Sequence, residues 1–224
     1  MTLRMSSNPA IVLCLATALL AAPRCQAQVR GTVSLSTPVG VYIPTASLPP
    51  RFAHCLPEVI CRISRQQSSA VVLGGRVTAW FNPRLALEGS VLYSPSPVAT
   101  EFTSSFPNGA LLARETSQAT AAVVATSVRV LVSPVPVTRL WVYMVGGPAF
   151  VSRSGDAYSD WSGTTRFGGV VGAGAHLRVA RSLALRAELE QYLYSLDGHH
   201  QRDVYLSLGL SLVSQVQVTR ASTP

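Results

Sequence analysis

The sequence predicts an all-β chain, an eight-stranded antiparallel up-and-down transmembrane β-barrel, and three observations carry that expectation. Apolar residues alternate with small, polar or charged ones over stretches of about 10 to 14 residues, the period of a strand with two unlike faces. The connections between these stretches are alternately long and short. Hydrophobic residues make up 48% of the 224-residue chain and charged ones 12%, against about 25% charged in a typical soluble domain. No run approaches the roughly 20 apolar residues that a membrane-spanning helix requires.

The chain begins with an export signal: Arg4, an apolar run over 10–22 (AIVLCLATALLAA), then Cys25-Gln26-Ala27, with small residues at the two positions a signal peptidase reads. The expected organisation is a signal peptide over 1–27, a barrel over 28–216 and a C-terminal tail over 217–224. A mature chain of roughly 197 residues is the size of one domain. N-terminal sequencing of the protein from cell envelopes is expected to start at Gln28, and a retained Met1 would contradict export.

Strands are predicted over 31–43, 70–81, 85–93, 118–132, 139–151, 165–179, 183–194 and 203–213. The connections 82–84, 133–138 and 180–182 are short turns with breakers, whereas 44–69, 94–117, 152–164 and 195–202 are long. In a meander this order puts every long loop at one end and both termini at the other. Transmembrane barrels of the outer membrane share it, with short periplasmic turns and longer extracellular loops, so the outer membrane is the expected location.

Side-chain parity supplies the two faces. Leu185, Leu189, Leu206, Leu208 and Leu210 share the apolar, lipid-facing parity. The opposite parity gathers Arg76, Glu88, Arg129, Arg166, His176, Arg178, Arg186, Glu188 and Glu190 among glycines and serines. Alternation alone does not say which face is inside. The polar faces are poor in charge and rich in Gly and Ser, which suits a crowded lumen, and eight strands leave an interior just wide enough for side chains to fill. Phe81, Tyr93 and Phe167 fall on the outward parity near strand ends, where an aromatic girdle lies. Buried charges must be paired or solvated, so the inward charges are expected to form an Arg/Glu network that plugs the barrel. The alternative is a narrow, anion-favouring pore, since five Arg face three Glu.

The segment 167–213, FGGVVGAGAHLRVARSLALRAELEQYLYSL followed by DVYLSLGLSLV, resembles the closing hairpins of small bacterial outer-membrane β-barrel proteins, the group that includes the barrel of outer-membrane protein A and the opacity-type surface proteins. The resemblance is one of pattern over nearly the whole mature chain, and it implies a fold rather than an activity. Members of the group usually end on an aromatic residue, whereas this chain continues from its last strand into SQVQVTRASTP. The peptidoglycan-binding role of longer relatives is not carried over.

The remaining chemistry is sparse. All 18 basic residues are Arg, which excludes a P-loop lysine, a Schiff-base lysine and a Ser-Lys nucleophile pair. Without Arg4 and Arg24, sixteen arginines stand against ten acids, a net +6. They are scattered singly, so no nucleic-acid partner is expected. Cys55 and Cys61, the pair left after removal of the signal, are expected to form a disulfide in an exported protein. Free thiols and a metal site with the adjacent His54 are the alternatives. Glu188 and Glu190 lie two apart on one face, roughly 6.5 to 7 Å from each other, a spacing compatible with paired-carboxylate hydrolysis, but Arg186 beside them favours an ion pair. His199 and His200 are read as loop polarity. Gly172-Ala173-Gly174 lacks the third glycine and the helix of a dinucleotide fingerprint. No His-x-Ser pair of the kind used by outer-membrane acyl hydrolases is present on a strand. The expectation is therefore a non-enzymatic barrel without cofactor or metal, with a structural or surface-interaction role, surrounded by outer-membrane lipid and meeting extracellular ligands through its long loops. The runner-up is a secreted, soluble, lipocalin-like barrel carrying a small apolar ligand. A pore or a barrel enzyme comes third.

Overall fold

A computed structural model describes residues 32–45, 59–82, 84–106, 110–134, 140–159, 165–180, 182–196 and 199–215. Eight strands close on themselves: β1 (Thr32–Pro44), β3 (Ala70–Asn82), β4 (Leu85–Ser94), β7 (Ala122–Val132), β8 (Leu140–Ser154), β9 (Thr165–Arg178), β10 (Leu183–Leu196) and β11 (His199–Gln215). Each pairs antiparallel with its neighbour in this order, and β1 closes the barrel on β11 from Thr32↔Gln215 to Pro44↔Asp203. Closure leaves no unpaired sheet edge in the barrel wall.

The alternation that marks these strands is realised as an apolar outside and a polar or tightly packed inside. Leu185, Leu189, Leu206, Leu208 and Leu210 are about half exposed or more, while Arg186, Glu188, Glu190 and Ser207 between them are buried. Phe81, Tyr93 and Phe167 also point outward, and Phe167 meets Phe150 edge-on with ring centroids 5.2 Å apart. Phe167 and Leu177 bracket ten residue steps of outward-facing β9. At about 3.4 Å per step and a tilt of about 40°, that is roughly 25 Å of height, the apolar band of a transmembrane barrel. An exterior studded with Leu and Val on every barrel strand far exceeds the apolar patches that soluble monomers expose. A soluble ligand carrier requires the reverse placement, so the lipocalin-like alternative does not describe this chain.

Three expectations are corrected. The predicted strand over 118–132 is two strands, because the chain leaves the barrel wall at Thr120 and Ala121 and Gln118 belongs to β6 (Leu111–Ala119). The stretches 44–69 and 94–117, read as loops, carry β2 (Ile60–Gln67), β5 (Val98–Ser105) and β6, which form a separate antiparallel sheet in the order β2-β5-β6. That order repeats the barrel order β3-β4-β7, so each strand of the small sheet prolongs one strand of the wall. The stretch 195–202 is mostly strand: β10 continues to Leu196 and β11 starts at His199, with His200 opposite Ser195. His199 and His200 therefore belong to a hairpin ladder.

Candidate functional site

The lumen is layered. Its middle is occupied by Arg76 on β3, Glu88 on β4, Arg129 on β7 and Arg186, Glu188 and Glu190 on β10, all almost completely buried. Inward parity at mid-strand brings them together from opposite walls. Glu188 lies 2.5 Å from Arg76 Nη1 and 3.0 Å from Arg129 Nη2, and it accepts from Arg186 Nε at 2.9 Å and from the Tyr143 hydroxyl at 2.5 Å. Glu88 accepts from Arg129 Nε at 2.8 Å and from Arg186 through both Nη1 and Nη2, at 2.6 and 3.0 Å, with Thr78 Oγ1 as a further donor. Glu190 accepts from Arg76 Nη2 at 2.8 Å and from Arg129 Nη1. Each guanidinium thus serves at least two carboxylates, and three positive charges balance three negative ones. In such a cluster desolvation offsets much of the attraction, so its net contribution to stability is smaller than the number of ion pairs suggests. Gly174 makes the room it needs: a Cβ there would stand 2.6 Å from the Tyr143 ring and 2.7 Å from Glu188 Cγ.

Three of the residues assigned to the network by parity stand at its edge or beyond it. His176 stacks on Trp141 at 5.2 Å with the rings nearly parallel, and the guanidinium of Arg178 sits 5.2 Å from the same indole. They belong to a second layer at the short-turn end, with Trp80, Tyr143 and Leu131. Arg166 lies near the opposite rim, at the start of β9 and across from Val151, half-buried. Parity gives the face of a side chain and not its height along the barrel: height separates Arg166 and Arg178 from the ring, whereas His176 borders it, directly across from Arg186 in register.

Above the ring, toward the long connections, the lumen is filled by Tyr42, Tyr192 and Tyr205 with Val72, Leu92, Ala125, Val151 and Val170. Capping them is a polar cluster that sequence reasoning did not assign. Arg153 at the end of β8 bonds the Tyr194 hydroxyl and lies 3.3 Å from Asp203 Oδ2, and Tyr194 donates to that same oxygen at 2.5 Å. Gln67, the last residue of β2, accepts from Tyr42 at 3.3 Å and from Tyr158 at 3.2 Å, which ties the small sheet to the barrel. The inward parity of Asp203 and Tyr205 was visible in the sequence; Arg153 lay past the predicted end of its strand.

The small sheet stands at the end carrying the long connections, the extracellular end in barrels of this kind. Its outer strand β6 is exposed along nearly its whole length, with Leu111 and Leu112 uncovered. One ion pair crosses its surface, Arg114 Nε to Glu101 Oε1 at 2.7 Å, an exposed pair of the kind that contributes little to stability. Cys61 is the second residue of β2, whereas Cys55 lies outside the described residues. The export signal and the tail over 217–224 also lie outside them.

A closed eight-stranded barrel with an apolar belt, filled lumen and short turns at one end defines the class as the small outer-membrane barrel. The fold is shared with a solved structure of that class. The outer membrane protein OprG from Pseudomonas aeruginosa superimposes with a TM-score of 0.53 at 10% identity, covering 85% of this chain and 99% of that one. The N-terminal β-barrel domain of Pseudomonas aeruginosa OprF gives 0.49 at 14% identity, covering 84% and 100%. No protein-family model matches the sequence, and no curated protein matches it.

Proposed function

We propose that the chain is exported to the outer membrane, with residues 28–216 as its barrel, and has a structural or surface-interaction role carried out by its extracellular sheet and not through its lumen. The observation that supports this reading is the sequence of layers inside the barrel: among the described residues an aromatic layer, a charge-balanced ring of three Arg and three Glu, and a tyrosine-rich layer occupy successive levels of the lumen. The purified protein in planar bilayers is expected to give no steady conductance. Steady anion-selective current would instead make it a pore. The surface role is tested by replacing the β5–β6 hairpin with a short turn: surface binding should be lost, while the barrel keeps its heat-modifiable migration in electrophoresis. Binding that survives the deletion would remove the sheet from the role.

Cys55 and Cys61 are part of this reading, as a bridge that pins the connection leading into β2 outside the membrane. Alkylation without reductant is expected to label neither thiol. Because the closed loop is short, the bridge contributes at most about 2 to 3 kcal/mol, so the barrel should survive replacement of both cysteines by serine.

A further inference from the structure

Buried polar atoms are almost always hydrogen-bonded, and exceptions call for an explanation. Among the described residues nine such atoms occur, on Arg65, Arg153, His176, Arg178, Glu190, Gln201, Asp203 and Tyr205, and five of them gather at one place, the extracellular end of the lumen. Tyr205 OH, Asp203 Oδ1 and Gln201 Oε1 on β11 have no partner, and neither do Nε and Nη1 of Arg153, which reaches Asp203 from β8. All four residues are at least nine-tenths buried.

The chemistry of these atoms restricts what satisfies them. The two Arg153 nitrogens only donate, the Asp203 and Gln201 oxygens only accept, and the Tyr205 hydroxyl does both. An anion would leave the two acceptors unsatisfied, and a metal cation would be repelled by Arg153. Hydroxyl groups donate and accept at once, and one Arg against one Asp asks for no net charge. The walls are aromatic: Tyr205 packs against Tyr42 and Tyr192 with centroids 5.1 and 5.0 Å apart, and Arg153 lies over the Tyr194 ring at 5.5 Å.

Among the described residues a short turn, Asp156–Tyr158, lies beside this cluster, with the Tyr158 ring 6.0 Å from the Arg153 guanidinium. Its fastenings include Thr120 Oγ1 donating to Asp156 Oδ2 at 2.8 Å, Ala157 N donating to Thr120 O at 3.2 Å, and the Tyr158 hydroxyl donating to Gln67 Oε1 at 3.2 Å. Gly155 precedes it at φ 107°, a left-handed conformation suited to glycine, where a Cβ would stand 2.5 Å from Thr120 O. Burial raises the Tyr158 phenol above its ordinary pKa despite the opposing pull of Arg153, so the phenol is neutral at physiological pH and keeps its hydrogen for Gln67.

We propose that the extracellular end of the lumen is a binding site for one small, uncharged, polyhydroxylated molecule, held between Arg153, Gln201, Asp203 and Tyr205 beside the Asp156–Tyr158 turn. The site goes beyond the surface-interaction reading, because it lies in the mouth of the barrel and not on the small sheet, and it needs only the floor that the tyrosine layer provides.

The test is an NMR titration of the mature protein in lipid nanodiscs with D-glucose and, as a smaller probe, glycerol. Saturable shifts at Arg153 and Tyr205 are expected with at least one of them. Tyr205→Phe removes a hydroxyl that has no partner in the protein, so it should fold normally and bind several-fold more weakly. Asp203→Asn should weaken binding about tenfold or more, the range for a hydrogen bond to a charged group. Thr120→Val, which releases Asp156, should speed exchange of the ligand. If neither solute gives saturable shifts with the native protein and with Thr120→Val, these atoms are satisfied by water alone and the proposal fails. It fails equally if binding is unchanged in Tyr205→Phe and Asp203→Asn. Bilayer conductance of the same preparation reports separately on the closed lumen.

Discussion

Arg186→Ala is expected to destabilise the barrel by about 3 to 5 kcal/mol, the cost of leaving buried charge uncompensated in a dry interior. Arg186 forks onto both oxygens of Glu88, at 2.6 and 3.0 Å, while its Nε holds Glu188. Its removal therefore strips two carboxylates at once, and the remaining ring carries two positive charges against three negative. Neither Arg76 nor Arg129 is spare, since both already serve Glu188 and Glu190. Arg186→Lys should recover only part of the loss, because an ammonium does not reproduce the planar fork. Urea unfolding in lipid vesicles measures the difference. A loss below about 1 kcal/mol would mean that water already screens the ring, and together with ion conductance it would turn the proposed plug into a pore lining.

The sequence disclosed the barrel but not what stands on it, and the reason is physical. Barrel strands separate lipid from lumen, so a one-residue slip would invert every side chain and the alternation has to be strict; Val204 to Leu212 on β11 shows it without interruption. The small sheet separates nothing so different. LLARETSQA of β6 is exposed on both faces, and ICRISRQQ of β2 mixes Arg and Gln into its alternation, so neither shows the clean period two of a wall strand. The ring of charges was legible as a set of inward residues. Its partners were not, because they depend on shear and tilt, which place Arg76 beside Glu190 across 114 residues of chain. For the same reason Arg178, with the correct parity, sits a layer away beside Trp141, on which His176 stacks at the edge of the ring.

Leu208→Arg is expected to cost about 2 to 4 kcal/mol in lipid, the penalty for a basic side chain on the lipid face at the bilayer midplane. Leu208 is 66% exposed, midway along the outward-facing series from Val204 to Leu212 on β11, and flanked in register by Val39 and Ala187. No carboxylate is offered at that level of the outer surface by these neighbours, so the guanidinium must reach a rim or draw water into the bilayer. Leu212→Arg, four residues nearer the short-turn end, should cost less, because the penalty falls to about 0 to 1 kcal/mol near the interface. Leu189→Arg on the adjacent strand should follow Leu208. The gradient is the informative quantity: a soluble barrel would tolerate all three substitutions on an exposed face, and a flat response across the series would remove the lipid-facing assignment of Leu185, Leu189, Leu206, Leu208 and Leu210 together. A graded loss, measured by unfolding from vesicles, places the midplane between the aromatic residues Phe81 and Phe167, which lie toward opposite rims.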